Sequence, residues 1–268
     1  MRGTQPDLSV PATTRVIGVA GGKGGVGKSM VTVNLAVALA KMGHKVGLLD
    51  ADIWGFSIPR MLKLEARPTV VDKMMIPPVK YGVEIMSIGF FANEDQPIIW
   101  RGPLVHRALQ QFLTQVRWGE LEFLFVDLPP GTGDVTISLA KMVPNLEMLM
   151  VTTPQPAAEK VAARAGHMAR KSDVRIAGVI ENMSYLVCSD CGSRHKLFGE
   201  GGGKELAKAL EAPLLGELPF DETARAGGDA GEPVVLSHPD SAIAKEVLKI
   251  AKALADETQR LAKNSPAA

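Results

Sequence analysis

Cysteine is nearly missing from this 268-residue chain, which has only Cys188 and Cys191, set two residues apart. One pair cannot supply a disulfide framework for a chain of this length, so metal or redox chemistry is the first expectation for it. Aromatic residues make up 5%, too few for rows of base-stacking platforms. Neither sign of charge dominates: 30 Lys and Arg against 29 Asp and Glu leave a formal net charge of +1. No global basic field therefore steers the chain toward nucleic acid. No uninterrupted apolar run reaches the roughly 18 residues of a membrane span. The opening MRGTQPDLSVPATT has neither the apolar core of a signal peptide nor the repeated arginines of a transit peptide, so a cytoplasmic location is expected.

What is present is an alternation of short apolar runs with helical stretches. RVIGVA (Arg15 to Ala20) reads as a buried strand ending in glycines. From Lys28 to Met42, Val31, Leu35, Ala38 and Leu39 recur at helical spacing, and Gly43 supplies the stop. KVGLL (Lys45 to Leu49) is the second buried strand, and strand–helix–strand at this length implies a parallel βαβ unit. Between Leu62 and Phe91, Pro68, Pro77 and Pro78 and the alternating VEIMSI (Val83 to Ile88) suggest antiparallel excursions instead. Gly102-Pro103 opens a helix, and strands are expected at Glu122 to Val126, Glu147 to Thr152 and Arg175 to Ile180. Helices are expected near Ala157 to Arg170, Gly203 to Leu210 and Ser241 to Leu261. The expected fold class is α/β, a doubly wound, mostly parallel sheet with helices on both faces. The expected organisation is a mobile tail over 1–14, a single domain over 15–262 and a second tail over 263–268.

The strongest motif is Gly22-Lys23-Gly24-Gly25-Val26-Gly27-Lys28-Ser29, a full match to the phosphate-binding pattern G-x-x-x-x-G-K-[ST] between a strand and a helix. The glycines let backbone N–H groups converge on phosphate oxygens, and the helix start adds its positive dipole end. Lys28 is placed to neutralise the β- and γ-phosphates, and the Ser29 hydroxyl to ligate Mg²⁺. Asp50 and Asp52 follow the second strand, and Asp127 follows the apolar run Phe123 to Val126. Carboxylates at strand ends in an open parallel sheet are candidate magnesium and water ligands. Pro129 to Asp134 (PPGTGD) could be a loop that responds to the γ-phosphate or a tight connection.

Cys188-Ser189-Asp190-Cys191 has a spacing that lets two thiolates converge on one metal, but two sulfurs do not close a tetrahedral site. A symmetric dimer would bring two pairs together on its two-fold axis. His195 could join a zinc site within one chain, a thioredoxin-like redox pair is another reading, and two inert loop cysteines a third.

The extra lysine, Lys23, makes the loop resemble the deviant Walker A ATPases. The segments DADIWGFS (Asp50 to Ser57), WRGP (Trp100 to Pro103), DLPPGTGD (Asp127 to Asp134), ENMSYLVCSDCG (Glu181 to Gly192), FGEGGG (Phe198 to Gly203) and AGGDAGEPVV (Ala226 to Val235) occur together and in order. With them the chain resembles the Mrp/ApbC family of iron–sulfur cluster carrier ATPases, within the MinD/ParA-like superfamily. The resemblance implies ATP and Mg²⁺ as cofactors, with Lys23 reaching the partner subunit's phosphates, Asp52 positioning water and Asn182 contacting adenine beside Pro219 and Asp221. It also implies a homodimer bridged by a [4Fe–4S] cluster on Cys188 and Cys191 of each subunit, slow ATP hydrolysis, and cluster transfer to apo iron–sulfur proteins. One departure is Phe56, where the family has proline. The competing readings are a MinD/ParA-type spatial-organising ATPase, or a metal-inserting ATPase with zinc on the cysteines. No nucleic-acid or membrane partner is expected, because acidic residues offset the lysines of the last helix and its apolar face is a plain 3.6-residue stripe.

Overall fold

The first apolar run becomes β1 (Arg15–Gly21), buried along its whole length. The structure, a computed structural model, describes residues 8–52, 55–91, 102–131, 134–188 and 190–264. A glycine-rich turn leads into α1 (Lys28–Lys41), followed by β2 (Val46–Asp50). Gly43 ends α1 as its sequence position suggests. At φ +94° it donates its N–H to the Ala40 carbonyl while the His44 N–H reaches the Leu39 carbonyl, satisfying two orphaned helix-end acceptors.

Beyond β2 lie α2 (Ile58–Met61), β3 (Thr69–Val71), β4 (Met74–Ile76), β5 (Val79–Lys80) and β6 (Val83–Ser87). The pairs β3–β4 and β5–β6 are antiparallel, in line with the proline-rich reading, but β6 also runs parallel to β2 within the main sheet. The reason is its burial: Val83, Ile85, Met86 and Ser87 leave neither face to solvent, which suits a sheet covered on both sides. Then come α3 (Gly102–Thr114), β7 (Phe123–Asp127), α4 (Asp134–Met142), β8 (Leu146–Thr152), α5 (Pro156–Lys171) and β9 (Arg175–Glu181). The hairpin β10 (Leu186–Val187) and β11 (Arg194–His195), α6 (Gly202–Ala209), β12 (Leu214–Glu217), α7 (Glu222–Ala230), α8 (Val234–Ser237) and α9 (Ala242–Asn264) complete the described chain.

Among the described residues one eight-stranded sheet runs in the order β12-β9-β8-β1-β7-β2-β6-β5. It is parallel throughout except for β5 at its edge. Two apolar cores flank it, one under α1, α8 and α9 and the other under α3, α4, α5 and α6. This is the doubly wound architecture, and it collects the C-terminal ends of β1, β2, β7 and β9 on one rim, where such folds bind ligands. Residues 8–14, expected as a mobile tail, instead lie on the core. Val10 is buried, the Ser9 N–H donates to the Leu113 carbonyl at 2.7 Å and Thr14 Oγ1 donates to the Leu121 carbonyl at 2.8 Å. Among the described residues no helix is long and apolar enough to cross a membrane.

Candidate functional site

The loop between β1 and α1 is shaped by contacts that only glycine permits at two positions. At Gly22 an added Cβ would lie 2.4 Å from the Ala162 backbone nitrogen in α5. At Gly27, where φ is +81°, it would lie 2.2 Å from Asn182 Nδ2. That amide donates to the Val26 carbonyl at 2.9 Å, so Asn182, just past the end of β9, fastens the loop from below. Gly24 and Gly25 have open space around them, and Lys23 lies on the exposed side, with Nζ 3.2 Å from Gln155 Oε1.

Lys28, Ser29, Asp52 and Asp127 come together below this loop. Lys28 Nζ lies 2.8 Å from Asp127 Oδ1 and 3.8 Å from Asp52 Oδ2, and Ser29 Oγ donates to Asp127 Oδ2 at 2.5 Å. Thr32 Oγ1 adds a bond to Asp127 Oδ1 at 3.2 Å. Lys28 is thus 7% exposed and committed to a buried carboxylate, so an incoming phosphate must compete with Asp127 for it. Burial pushes the Asp127 carboxyl up, while Lys28 and Ser29 oppose that shift. Ser29 Oγ and Asp127 Oδ2 are hard oxygen donors side by side, a set that suits a hard divalent cation such as Mg²⁺.

Asp50 departs from its sequence reading as a ligand. It is fully buried at the end of β2, in register with Asp127 across the β2–β7 ladder. Its carboxyl accepts from Ser87 Oγ (3.1 Å), from the Asp52 N–H (3.2 Å) and from the Ile58 N–H (3.3 Å). Burial, helped by the charge of Asp127, pushes it up to about 8. Asp50 therefore anchors the segment from Asp52 to α2 instead of facing the loop. Phe56, in that same segment, packs its ring against Gly89, where a Cβ would meet the ring at 2.5 Å.

A cavity of about 770 Å³ opens beside Gly27, and its walls include Asn182, Pro219 and Asp221, the trio singled out in the sequence. Asn182 Oδ1 is buried there with no hydrogen-bond partner among the described residues. An acceptor left in that condition is costly unless a ligand donor meets it. Asp221 caps α7, its Oδ1 accepting from the Thr223 N–H at 2.8 Å, so it has a structural task as well as a place in the wall. The sequence reading missed Met30, Arg60 and Met61, which also line the cavity. Met30 lies on α1 and Arg60 and Met61 on α2, and they share no motif.

Cys188 and Cys191 lie on the loop of the β10–β11 hairpin. Cys191 is exposed and Cys188 half-buried. Hydrogen bonds from the Ser193 hydroxyl, the Ser193 N–H and Cys188 pull the Cys191 thiol below its ordinary value. His195, weighed as a third ligand, reaches Cys191 only through Ser193. Among the described residues no group of three His, Cys, Asp or Glu is placed to hold a metal ion, and two thiolates alone do not close a tetrahedral site. The hairpin is tied to the cavity wall: the Phe220 N–H donates to the Tyr185 carbonyl at 2.7 Å, and the Ser184 N–H to the Leu218 carbonyl at 2.9 Å. Trp100 and Arg101, and the Ile53, Trp54, Thr132 and Gly133 of the quoted segments, lie outside the described residues.

A family model described as "ParA: NUBPL iron-transfer P-loop NTPase" matches residues 12–255. An iron-sulfur cluster carrier protein of Mycobacterium leprae is 51% identical over 273 residues, covering 98% of this chain and 71% of the relative. One from Aquifex aeolicus is 48% identical over 248 residues, covering 91% of this chain and 68% of the relative. Among solved structures, the nucleotide-binding protein of Archaeoglobus fulgidus in complex with ADP superposes with a TM-score of 0.71 at 39% identity, over 81% of this chain and 86% of that one. The septum site-determining protein MinD of Pyrococcus horikoshii, complexed with Mg-ADP, matches at a TM-score of 0.67 and 24% identity, over 91% of this chain and 98% of that one, a likeness of fold.

Proposed function

We infer that this chain, which belongs to the ParA family of iron-transfer P-loop NTPases, binds and hydrolyses ATP and carries an iron–sulfur cluster that it delivers to apoproteins. One observation carries the reading: a phosphate-binding lattice and an exposed two-cysteine hairpin occupy a single fold, with the hairpin hydrogen-bonded to the wall of the cavity beside the loop.

In this reading the loop from Gly22 to Ser29 wraps the phosphates with backbone N–H groups, and Lys28 leaves Asp127 for the β- and γ-phosphates. Ser29 and Asp127 would hold Mg²⁺, which supplies positive charge across those phosphates when bound. Asp52 orients the attacking water, an interaction needed more in the transition state than in the ground state. The adenine amino group donates to Asn182 Oδ1, with Pro219 and Asp221 beside the base. Lys23, on the exposed face of the loop, acts on the phosphates of a second subunit. Cys188 and Cys191 of each of two protomers close a Cys₄ set around one [4Fe–4S] cluster on the two-fold axis.

The test is anaerobic reconstitution with iron and sulfide, followed by iron counting and an absorption spectrum. Wild-type protein should take up about four iron atoms per dimer. Cys188→Ser or Cys191→Ser should remove most of that iron, because a hydroxyl is a harder and far less acidic ligand. ATP hydrolysis should survive both changes. Tight, stoichiometric zinc with no iron uptake would make the pair a zinc staple between subunits and overturn the carrier reading.

A further inference from the structure

The cysteine hairpin contains a polar chain that the chemistry above leaves unused. Ser193 is bound to both cysteines at once. Its carbonyl accepts the Cys188 N–H at 2.9 Å, and its hydroxyl oxygen lies 3.0 Å from Cys191 Sγ. On the other side that hydroxyl lies 2.9 Å from His195 Nε2. The alternation of side chains along β11 puts Ser193 and His195 on one face and Arg194 on the other, where its guanidinium sits 4.5 Å from the centre of the Tyr185 ring. Pairing of Leu186 with His195 and of Val187 with Arg194, with a Gly192 N–H to Cys188 carbonyl bond of 2.9 Å, fixes the register of the loop.

A hydroxyl has one proton to give. When His195 donates through Nε2 to Ser193 Oγ, that proton is left for the Cys191 sulfur. We propose that Ser193, oriented by His195, is a positioning residue that hydrogen-bonds the Cys191 sulfur while it ligates the cluster, and so sets the cluster's reduction potential and its ease of release. The proposal rests on the cluster-carrier reading. Hydrogen bonds to a ligating sulfur draw electron density from it and favour the reduced cluster. They also stabilise Cys191 as a leaving ligand. An acceptor thiolate forms a bond to iron as the Cys191 sulfur–iron bond breaks, the electron pair leaves with the sulfur, and no oxidation state changes.

The full chain is reconstituted as wild type, Ser193→Ala, Ser193→Thr, His195→Ala and the Ser193→Ala/His195→Ala double variant. Iron content, reduction potential and the rate of transfer to an apo-ferredoxin with four free cysteines are then measured. Ser193→Ala should load iron like the wild type, show a lower potential and transfer about fivefold more slowly, the factor a net hydrogen bond is worth. Ser193→Thr should restore wild-type values. His195→Ala should shift both readouts the same way but less, and the double variant should match Ser193→Ala alone, because His195 acts through Ser193. A loaded Ser193→Ala with unchanged potential and rate overturns this inference and leaves the carrier reading intact, and so do additive effects in the double variant. Failure of both Ser193 variants to load iron, when the wild type loads, also overturns it. A wild type that takes up no iron overturns the carrier reading itself.

Discussion

At Gly27 two constraints meet, a backbone φ of +81° and an Asn182 amide 2.2 Å from where a Cβ would sit. Gly27→Ala should cost about 1–2 kcal/mol from the left-handed conformation alone. It should also displace the Asn182–Val26 bond and abolish nucleotide binding. Gly24→Ala, with nothing within 4 Å of its Cβ, should leave the stability of the free protein unchanged in parallel urea denaturation, and an equal loss in both variants would contradict this account. The glycine pattern was legible in the sequence because the phosphate-binding motif is contiguous, although the contacts that demand glycine at positions 22 and 27 come from Ala162 and Asn182, far along the chain. The role of Asp50 was not, because its burial depends on Ser87 and on the amides of Asp52 and Ile58, which the fold brings in. Its titration is a second prediction. In the folded chain Asp50 keeps its proton up to about pH 8, whereas the unfolded carboxyl loses it near 3.8. Between these values the folded state holds a proton that the unfolded state has lost. The stability from this group is therefore fully present below the lower value, declines as pH rises and is gone above the upper one. Asp50→Asn should flatten that decline between about pH 5 and about pH 8 in urea denaturation. An undiminished slope would assign the titration to another group, such as Asp127.

Among the elements, those marked by a continuous apolar run or a helical apolar stripe were read within a few residues: β1, α1, β7, β8, α5 and α9. The short β12 and α7 were not. β12 is a four-residue edge strand, half-buried throughout, and carries no alternation to read. β6 reads as an antiparallel excursion because of the prolines before it, yet tertiary burial makes it a parallel strand of the main sheet. α1 raises a finer point, for it is buried on nearly every side, and that burial includes Lys28, the phosphate-directed cation of the motif. Lys28→Ala therefore removes the cation of a buried ion pair as well as a phosphate contact. ATP turnover should vanish, and stability should fall by up to about 3 kcal/mol, the lower end of the cost of breaking a buried pair. The fold should persist, because Asp127, already pushed up by burial, can take a proton in place of its partner. Loss of secondary structure by circular dichroism would show that the pair is needed for folding itself.

At the scale of the whole molecule, two features of the proposed function point beyond one chain. Lys23 Nζ bonds Gln155 Oε1 on the exposed face of the loop, and among the described residues no third metal-ligating side chain joins the cysteine pair. Both were visible as motifs, but in the proposed function their partners belong to a second copy, which no sequence pattern places. If two copies face each other across these features, Lys23 of one serves the phosphates held by the other. Lys23→Ala and Asp52→Asn should then each abolish most hydrolysis as pure proteins, by loss of the cross-subunit lysine and of the water-orienting carboxylate respectively. Mixed in equal amounts, they should regain activity. In a mixed dimer the subunit with Lys23→Ala keeps its own Asp52 and borrows Lys23 from its neighbour, so one of the two sites is whole. Random pairing puts half of the dimers in this state with one working site each, giving about a quarter of wild-type turnover. If Lys23 worked only on its own subunit's nucleotide, neither site of the mixed dimer would be complete and the mixture would stay inactive. A steady-state phosphate-release assay on the mixture, titrated through the ratio of the two variants, separates these outcomes by the presence or absence of a maximum.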